Sequence, residues 1–346
     1  MTAESTPGAV VLFGSGETGA VGRAALRWLR KTGRPLRRVA VLESPAGFEP
    51  NAEAVARRWA DFLRRQAEAA DAEFAQLPLR RRGTSFSPDD AELARPLLGA
   101  DLILLGAGSP TYTVRQLASS VAWDNTVSAH LLGASLFLAS ASAIAAGTCA
   151  LPVYEIYKVG EDPHWKDGLR LFDAYGLALA VLTHWNNTDG GAAVDTSRCY
   201  MGRVRFAELL GMLPAGVAVL GIDEHTALAV DPAARSATVL GRGEVSVIRD
   251  GGLATFGTGK NVPLEALGPF SPADAAVPAG LAQAIRAARA TEPAPPAEVR
   301  SLVASRERAR AAEDWATADR LRGRIVELGW RVEDEAAGTK VRPLRR

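Results

Sequence analysis

The sequence predicts a doubly wound α/β fold in which helices cover both faces of a mostly parallel sheet. Short apolar runs alternate with longer amphipathic segments, as buried parallel strands alternate with their crossover helices. The runs are residues 9–13, 38–44, 101–108, 134–140, 177–183 and 218–223. The chain has 346 residues and is 47% hydrophobic. Those values allow about two domains with a large core.

Residues 226–256 have a different pattern. The turn sequences DPAA and RDGG separate segments in which apolar and polar residues alternate. This pattern predicts antiparallel strands that close an edge of the sheet. We therefore expect residues 1–257 to form the core domain. Residues 258–296 are rich in Pro and Ala and are expected to be a loosely packed linker, with one short helix over 279–290.

Residues 297–346 are expected to form a small C-terminal module of two helices and a β-hairpin. Its apolar residues recur every three or four positions, and Gly329 stands where a helix cap belongs. The apolar positions are Trp315, Ala318, Leu321, Ile325 and Leu328. Basic residues exceed acidic ones by three. The arginines are either a solvated face or contacts to RNA phosphates, for which the candidates are Arg306, Arg310, Arg320 and Arg324.

Composition limits the classes of partner. Forty basic residues balance 39 acidic ones, so the whole molecule has no field that would attract nucleic acid or a membrane. The two cysteines, Cys149 and Cys199, provide neither a disulfide framework nor a zinc-ligand spacing. No metal or cofactor is expected. The polar N-terminus is unlike a secretory signal and no apolar run is long enough to span a bilayer, which favours a cytoplasmic protein.

Ser142 is the candidate nucleophile. The run 134–140 ends in a cluster of small residues before an Ala-rich segment, a pattern typical of a serine on a sharp strand-to-helix turn. Such a turn lifts the hydroxyl clear of the sheet, and the first N–H groups of the helix are free to hold an oxyanion. The alternative is an ordinary buried strand followed by a helix.

Further polar residues follow other strands of the predicted sheet, and ligands of open α/β sheets bind at the carboxyl ends of the strands. His184 ends one strand, and Glu224 ends the next and is suited to orient an imidazole. The loops 14–17 and 106–111 place Gly16, Glu17 and Ser109 in the same cleft. The polar segments 152–165 and 186–202 are either solvated loops or a lid whose substrate-binding residues are Tyr157, Lys158, Asn186, Asn187, Asp195 and Arg198.

The segment GSGETG, residues 14–19, also satisfies the GxGxxG pattern of dinucleotide-binding oxidoreductases. Glu43 lies near the position of the acidic residue that binds a ribose in such proteins. Glu17 inside the turn would repel a diphosphate, however, and no hydride-transfer residues are evident. A sharp turn without a ligand is the simpler alternative.

Together GSGE, the small-residue elbow, His184 and the segment GIDEHTAL resemble the cyanophycinase and dipeptidase E family of serine peptidases. This resemblance implies a class I glutamine amidotransferase-like fold over residues 8–250. It also implies Ser142 as nucleophile, His184 as base and Glu224 as orienting acid, with oxyanion donors at Ala143 and at Ala107 or Gly108. The family elbow reads GxSAG. An elbow centred on Ser142 has Ser140 and Ile144 in the glycine positions, and a β-branched Ile144 is unfavourable in so tight a turn.

The C-terminal module resembles the C-terminal segment of bacterial cysteinyl-tRNA synthetases, through the motif ARxxxDWxxAD at 309–319. The resemblance implies docking to tRNA, but no ATP-binding signature of a synthetase precedes the module. The sequence therefore predicts a serine hydrolase that cleaves a peptide or amide bond, including that of an amino-acyl or peptidyl group presented by tRNA. The alternatives are a non-catalytic protein that binds a small ligand or tRNA, and the oxidoreductase.

Overall fold

Two sheets form the body of the protein, and a β-hairpin closes its C-terminal module. The computed structural model describes residues 6–69, 72–271, 277–290, 295–335 and 338–344. In chain order the strands are β1 (Val10–Phe13), β2 (Arg38–Leu42), β3 (Glu73–Leu77), β4 (Leu102–Leu105), β5 (Ser135–Ala139), β6 (Cys149–Ala150), β7 (Lys166–Asp167), β8 (Leu179–Leu182), β9 (Ala218–Ile222), β10 (Thr226–Asp231), β11 (Ser236–Gly241), β12 (Glu244–Arg249), β13 (Gly252–Gly257), β14 (Asn261–Val262), β15 (Trp330–Glu335) and β16 (Gly338–Pro343).

The helices lie on both faces of the first sheet, against the second sheet and in the C-terminal module. They are α1 (Ala20–Lys31), α2 (Ala52–Arg64), α3 (Ala91–Ala94), α4 (Pro96–Gly99), α5 (Pro110–Leu117), α6 (Val121–Leu131), α7 (Ala141–Ala145), α8 (Gly202–Gly211), α9 (Leu264–Leu267), α10 (Ala279–Ala290), α11 (Ala297–Ala311) and α12 (Trp315–Glu327). Within the described residues, no helix has the length and hydropathy that are needed to cross a bilayer.

The first sheet has the strand order β14-β11-β10-β1-β5-β4-β2-β3. Its centre is parallel from β1 to β3, and its β10 edge is antiparallel. The predicted doubly wound class is thus confirmed, including the antiparallel edge strands. Strands β8 and β9 fall in a second sheet of order β13-β12-β9-β8-β6-β7. The sequence gives no sign of this division, because buried parallel strands of either sheet have the same apolar pattern.

Alternate residues along the central strands divide the core into two layers. Val11 and Phe13 of β1 face helices α1 and α2, where Phe13, Trp59 and Phe137 pack edge to face. Val10 and Leu12 face the opposite way, toward the second sheet. Because both faces are covered, the strands are apolar throughout, and polar groups are left for the strand ends.

Within the segment 258–296, which was expected to be a loose linker, the predicted helix over 279–290 is present as α10 and packs against the core. Helix α10 buries Ile285 to 1% exposure. Arg38 Nη1 donates to the carbonyl of Ala288 at 2.8 Å, and Arg289 Nη2 donates to that of Ala129 at 3.0 Å. The many alanines of α10 let its backbone approach the core closely, which a search for bulky apolar periodicity overlooks.

The C-terminal module has the two helices and the hairpin that its sequence predicts. Its small core consists of Val299, Ile325, Trp330 and Val332. Gly329 follows α12 with a φ of +82°, as a helix-ending glycine should. Trp315 is 58% exposed, so its assignment to the apolar face is wrong. It begins α12 next to the N-cap Asp314 and lies outside the packed turns of that helix.

Candidate functional site

A strained turn joins β5 to α7 at the carboxyl end of the first sheet. Ser140, between Ala139 and the first residue of α7, has a φ of 52° and a ψ of −112°. Non-glycine residues seldom adopt a positive φ, because their Cβ crowds the backbone. Neighbouring residues must hold such a conformation, and it is frequent at functional sites. The turn is the serine elbow expected from the sequence, centred on Ser140.

Ser140 begins a chain of three hydrogen-bonded side chains. Its Oγ lies 3.0 Å from Nε2 of His184, and Nδ1 of His184 lies 2.9 Å from Oε1 of Glu224. A carboxylate only accepts hydrogen bonds, so Nδ1 carries the proton and Nε2 of the neutral ring is free to accept from Ser140. The expected pairing of His184 with Glu224 is therefore present in the structure. On the opposite side of the ring, Nε2 of His184 faces Ser140.

Ser142 does not hold the position that the sequence analysis assigns to it. Its side chain is buried, and its Oγ donates to the carbonyl of Leu105 at 2.6 Å and accepts from the N–H of Ala139 at 2.9 Å. It lies within α7, where the side chain points back to the sheet. A usable signal was present, because Ser140 and Ala141 match the Ser-Ala of the family elbow GxSAG, with Ser142 in the final glycine position.

The two other residues assigned to the elbow also lie inside α7. Ile144 is buried and packs with the second sheet, so its branched side chain does not oppose the turn. Ala143 is the third residue of the helix, whereas Ala141 directly follows Ser140. The N–H that corresponds to an elbow oxyanion donor is therefore that of Ala141.

Asn186 and Asn187 both form hydrogen bonds to Glu224, and the side chain of Asn187 is buried. Asn187 Nδ2 donates to the same Oε1 that binds His184, at 3.0 Å. Asn186 Oδ1 accepts from the backbone N–H of Glu224 at 2.8 Å. Both were expected to bind substrate. Asn187 thus fixes the carboxylate of Glu224, whose oxygen accepts more than one donor, and Asn186 fixes the backbone of the same residue.

The GSGE loop packs directly against His184. The carbonyl of Gly14 accepts from the N–H of His184 at 3.3 Å, and Ser15 Oγ accepts from the N–H of His225 at 3.0 Å. Gly16 has a φ of +74°, and a Cβ there would lie 2.6 Å from Nδ1 of His225. Burial raises the pKa of Glu17, while the neighbouring His184 acts in the opposite direction. This loop therefore belongs to the site.

Glu43 is not presented to a ribose. Its side chain is buried, accepts from Nε2 of Gln76 at 2.6 Å and forms an ion pair with Arg80. A dinucleotide site needs this carboxylate to face the ligand. The geometry therefore removes the acidic residue on which the oxidoreductase alternative relied.

An unusual left-handed turn covers His184. Arg198, Cys199 and Tyr200 have consecutive φ values of 58°, 61° and 68°. The N–H of Cys199 donates to the carbonyl of His184 at 3.2 Å, and the ring of Tyr200 lies 5.8 Å from the imidazole. Tyr200 also donates to Oδ2 of Asp189 at 3.0 Å. Tyr200 is not among the site residues that the sequence predicts, since no local pattern indicates such a turn.

Three other polar residues of this loop have local partners. Arg198 stacks 4.0 Å from the centre of the Trp185 ring. Asp195 accepts from the N–H groups of Ser197 and Arg203, both at 3.0 Å. The side chain of Ser197, together with these N–H groups, lowers the pKa of Asp195 to about 2. Asp195 therefore stabilises the start of α8. Cys199 is fully buried, which raises the pKa of its thiol to about 12 and leaves it unreactive near neutral pH.

A cleft of about 690 Å³ lies beside the loop that follows β4. Its lining includes the rings of Phe48, Tyr112 and Tyr154, the carboxylate of Glu155 and the side chain of Ser109. Ser109 also caps α5 by accepting from the N–H of Tyr112 at 3.2 Å. Ser109 thus lines a cleft of mixed aromatic and polar character, whose lining does not include Gly16, Glu17 or His184.

Tyr157 and Lys158 lie in the first of the two polar segments, residues 152–165. Tyr157 packs 5.3 Å from Tyr200, which itself packs on His184. The amino group of Lys158 lies 5.1 Å from the centre of the Tyr157 ring. The segments 152–165 and 186–202 therefore meet through an aromatic contact next to the histidine.

In the C-terminal module, Arg306 was expected to contact RNA, but its buried side chain cannot do so. It is 4% exposed, and its two terminal nitrogens lie 2.7 and 2.8 Å from the carboxylate oxygens of Asp334. Arg310 pairs with the same carboxylate at 2.5 Å. Arg320 and Arg324 are exposed on α12. A periodic spacing cannot distinguish a buried arginine that joins helix to hairpin from an exposed one.

The fold and the hydrogen-bond chain define an α/β protein whose serine elbow faces a histidine and a glutamate. A crystal structure of a peptidase from an acI-B1 actinobacterium superposes with a TM-score of 0.58 at 21% identity, covering 75% of this chain and 98% of that one. A protein from Listeria monocytogenes EGD-e, provisionally titled peptidase E, gives a TM-score of 0.43 at 14% identity over 72% of this chain and 98% of that one. The actinobacterial match confirms the fold that the core's resemblance implied.

Residues 292–342 match the family model of the cysteinyl-tRNA ligase anticodon binding domain. Cysteine–tRNA ligase 1 of Burkholderia lata is 50% identical over 46 residues, which are 13% of this chain and 10% of that protein. The Chlamydia pneumoniae ligase is 51% identical over 49 residues, or 14% and 10%. The chain thus spans about a tenth of the curated relatives it matches. The resemblance of the C-terminal module is confirmed.

Proposed function

We propose that the core is a serine hydrolase in which Ser140 is the nucleophile, His184 the general base and Glu224 the residue that orients and stabilises the imidazole. The observation that carries this proposal is the unbroken chain from Ser140 Oγ through both nitrogens of His184 to Glu224. The elbow strengthens it, because the positive φ of Ser140 serves no evident structural need.

Catalysis would begin when Nε2 of His184 takes the proton of Ser140 as Oγ attacks a carbonyl carbon. The resulting imidazolium would be held by Glu224, which Asn187 keeps in place. The oxyanion would bind the N–H of Ala141 at the start of α7, with a second donor at Ala107 or Gly108. His184 would then return the proton to the leaving group, and water would release the acyl group from Ser140.

A peptide or amide bond is the proposed target. The structural neighbour from the actinobacterium is itself titled a peptidase. In this chain the cleft lined by Phe48, Tyr112 and Glu155 lies beside the loop that carries the second oxyanion donor, so it would hold the group next to the scissile bond. Glu17, on the loop that packs against His184, is a second candidate contact for substrate.

A fluorophosphonate probe tests the nucleophile. We expect covalent labelling of the intact protein at Ser140, located by fragmentation of the modified peptide, and no labelling of Ser140→Ala. Ser135→Ala is the matched control, since Ser135 lies at the far end of the same strand. Absence of labelling in the wild-type protein, or full labelling of Ser140→Ala, would contradict the proposal and favour a non-catalytic binding protein.

For the C-terminal module we propose contact with tRNA. Its family match covers an anticodon binding domain, and α12 exposes Trp315 together with Arg320 and Arg324. An exposed aromatic ring can stack on an unpaired base, and arginines bind phosphates. The two parts then suggest a substrate in which an amino-acyl or peptidyl group is carried by tRNA.

Binding of unfractionated tRNA, followed by fluorescence anisotropy, tests this second proposal. We expect affinity to fall as salt rises and to fall further in an Arg320→Gln, Arg324→Gln double variant. Arg95→Gln is a matched control on the core, where the exposed arginine pairs with Glu92. An affinity that is insensitive to salt and to the double variant would overturn phosphate contact by the module.

A further inference from the structure

The left-handed turn that ends at Tyr200 is anchored to the backbone around His184. The N–H of Arg198 donates to the carbonyl of Trp185 at 2.8 Å, and the N–H of Cys199 donates to that of His184 at 3.2 Å. Three successive residues with a positive φ are costly for the backbone, because each of them has a Cβ. These hydrogen bonds hold the turn, and its last residue brings an aromatic ring to the imidazole.

The ring of Tyr200 packs on His184 in a direction that the hydrogen bonds of the imidazole do not cover. Nδ1 and Nε2 of His184 bind Glu224 and Ser140 at the edge of the ring. Bonds at the edge restrain the tilt of a ring less than packing against the ring does. The centres of the Tyr200 and His184 rings lie 5.8 Å apart, with 49° between their planes. Tyr200 in turn packs 5.3 Å from Tyr157, so its own ring is supported.

The hydroxyl of Tyr200 leads back to Glu224 through two further residues. It donates to Oδ2 of Asp189 at 3.0 Å. The N–H of Asp189 donates to Oδ1 of Asn187 at 3.1 Å, and Nδ2 of Asn187 donates to Oε1 of Glu224 at 3.0 Å. Because its oxygen accepts that N–H, the amide of Asn187 presents its nitrogen to the carboxylate. The contacts form a closed circuit, which runs from His184 through Glu224, Asn187, Asp189 and Tyr200 back to His184.

We propose that Tyr200 is a positioning residue, whose ring restrains the tilt of the His184 imidazole and whose hydroxyl steadies the Glu224 carboxylate through that circuit. The consequence for catalysis rests on the proposed function, whereas the effect on the imidazole does not. The hydrogen bond from Tyr200 to Asp189 lies at the surface, and a bond that competes with water contributes little. The ring therefore matters more than the hydroxyl.

Proton NMR of His184 tests the effect on the imidazole. The chain has four histidines, and the loss of one signal in His184→Gln identifies the Nδ1 proton. We expect this proton to exchange with water about 10-fold faster in Tyr200→Ala than in the wild type, because an uncovered imidazole tilts away from Glu224 more often. Tyr200→Phe keeps the ring and should stay within about threefold of the wild-type rate.

Phe86→Ala is the matched control for the NMR test. It removes an exposed aromatic ring elsewhere on the core and should leave the exchange of the His184 proton unchanged. Equal exchange rates in Tyr200→Ala and the wild type would overturn the proposal. A wild-type proton that already exchanges too fast to be observed would overturn it as well.

Fluorophosphonate kinetics test the consequence for catalysis. We expect the maximal labelling rate of Tyr200→Ala to fall by about 10- to 100-fold, because the imidazole is less often aligned with Ser140. The probe concentration that gives half the maximal rate should change little. Tyr200→Phe should recover the maximal rate to within about threefold of the wild type.

Two further outcomes separate this proposal from others. A fall in the thermal stability of Tyr200→Ala with an unchanged maximal rate would show a merely structural role and overturn the positioning role. If the wild-type protein is not labelled at all, the hydrolase proposal fails, while the exchange of the Nδ1 proton still decides what Tyr200 does to His184.

Discussion

Ser140 and His184 meet through a contact of 3.0 Å between Oγ and Nε2, and both residues have a positive φ, of 52° and 51°. Each backbone conformation is uncommon for a residue with a Cβ. The two partners are therefore both held by their surroundings, Ser140 by the elbow and His184 by the GSGE loop. Their contact does not depend on flexible surface side chains. Efficient proton transfer requires a donor and an acceptor that are held in fixed positions in this way.

Replacement of Glu224 by Gln should strongly reduce labelling by fluorophosphonate. The amide would no longer require Nδ1 of His184 to carry the proton and would not stabilise an imidazolium, so the second-order rate should fall by about 10² to 10⁴. Glu208→Gln, on the exposed face of α8, is the control and should react as the wild type. A Glu224→Gln rate within a factor of two of the wild type would exclude the orienting role.

Replacement of Gly108 by Ala should distort the loop after β4. A Cβ at Gly108 would lie 1.9 Å from the carbonyl oxygen of Pro45, so the two backbones must separate. We expect a loss of about 3 kcal/mol in the free energy of unfolding, measured by denaturant titration. Gly323→Ala is the matched control. No atom lies within 4 Å of its added Cβ, and it should gain up to about 1 kcal/mol. Equal stabilities of the two variants would contradict this account.

Replacement of Arg306 by Ala should loosen the C-terminal module. The variant removes two hydrogen bonds to Asp334 and one to Thr339, and it leaves Asp334 with Arg310 and Thr339, so local stability should fall by about 2 kcal/mol. Hydrogen exchange of amides in α11 and β15 measures this loss. Arg320→Ala removes an exposed side chain and should change protection by less than about 0.5 kcal/mol. Similar protection in both variants would mean that the Arg306 pair contributes little.

His130 should make the protein less stable as the medium becomes acidic. Burial lowers the pKa of His130 to about 4, and its ring is held neutral between the carbonyl of Ala134 and the hydroxyl of Tyr175. The unfolded chain binds the proton near pH 6.5, so the contribution of His130 is complete above that pH and is lost as pH falls through about 4.

The size of that loss is on the order of 3 kcal/mol. It is measured as the difference between the stability curves of the wild type and His130→Gln between pH 7 and 4. The wild-type curve should fall more steeply, because glutamine does not titrate. Parallel curves would show that His130 is protonated in the folded protein and that its burial has no such effect.

The sequence predicted the strands and the pairing of His184 with Glu224, because apolar runs and strand-end polar residues leave a local pattern. It placed the serine that faces His184 two residues too far along the chain. Ser140 and Ser142 lie in the same cluster of small side chains, and only backbone geometry shows which one faces outward. Arg306 and Asn187 were misassigned for a similar reason, since their partners Asp334 and Glu224 are distant in the chain.

The segment from His184 to Tyr200 supplies the histidine, both amides that hold Glu224 and the ring that covers the imidazole. Loops that surround a cleft are usually free to diverge, which lets one enzyme scaffold acquire new substrates. Here that freedom is restricted, since a change in this loop would also disturb the residues proposed for proton transfer. Diversification of the protein would be easier on the opposite wall, around Phe48 and Tyr154, and grafting experiments should exchange residues 184–200 as one block.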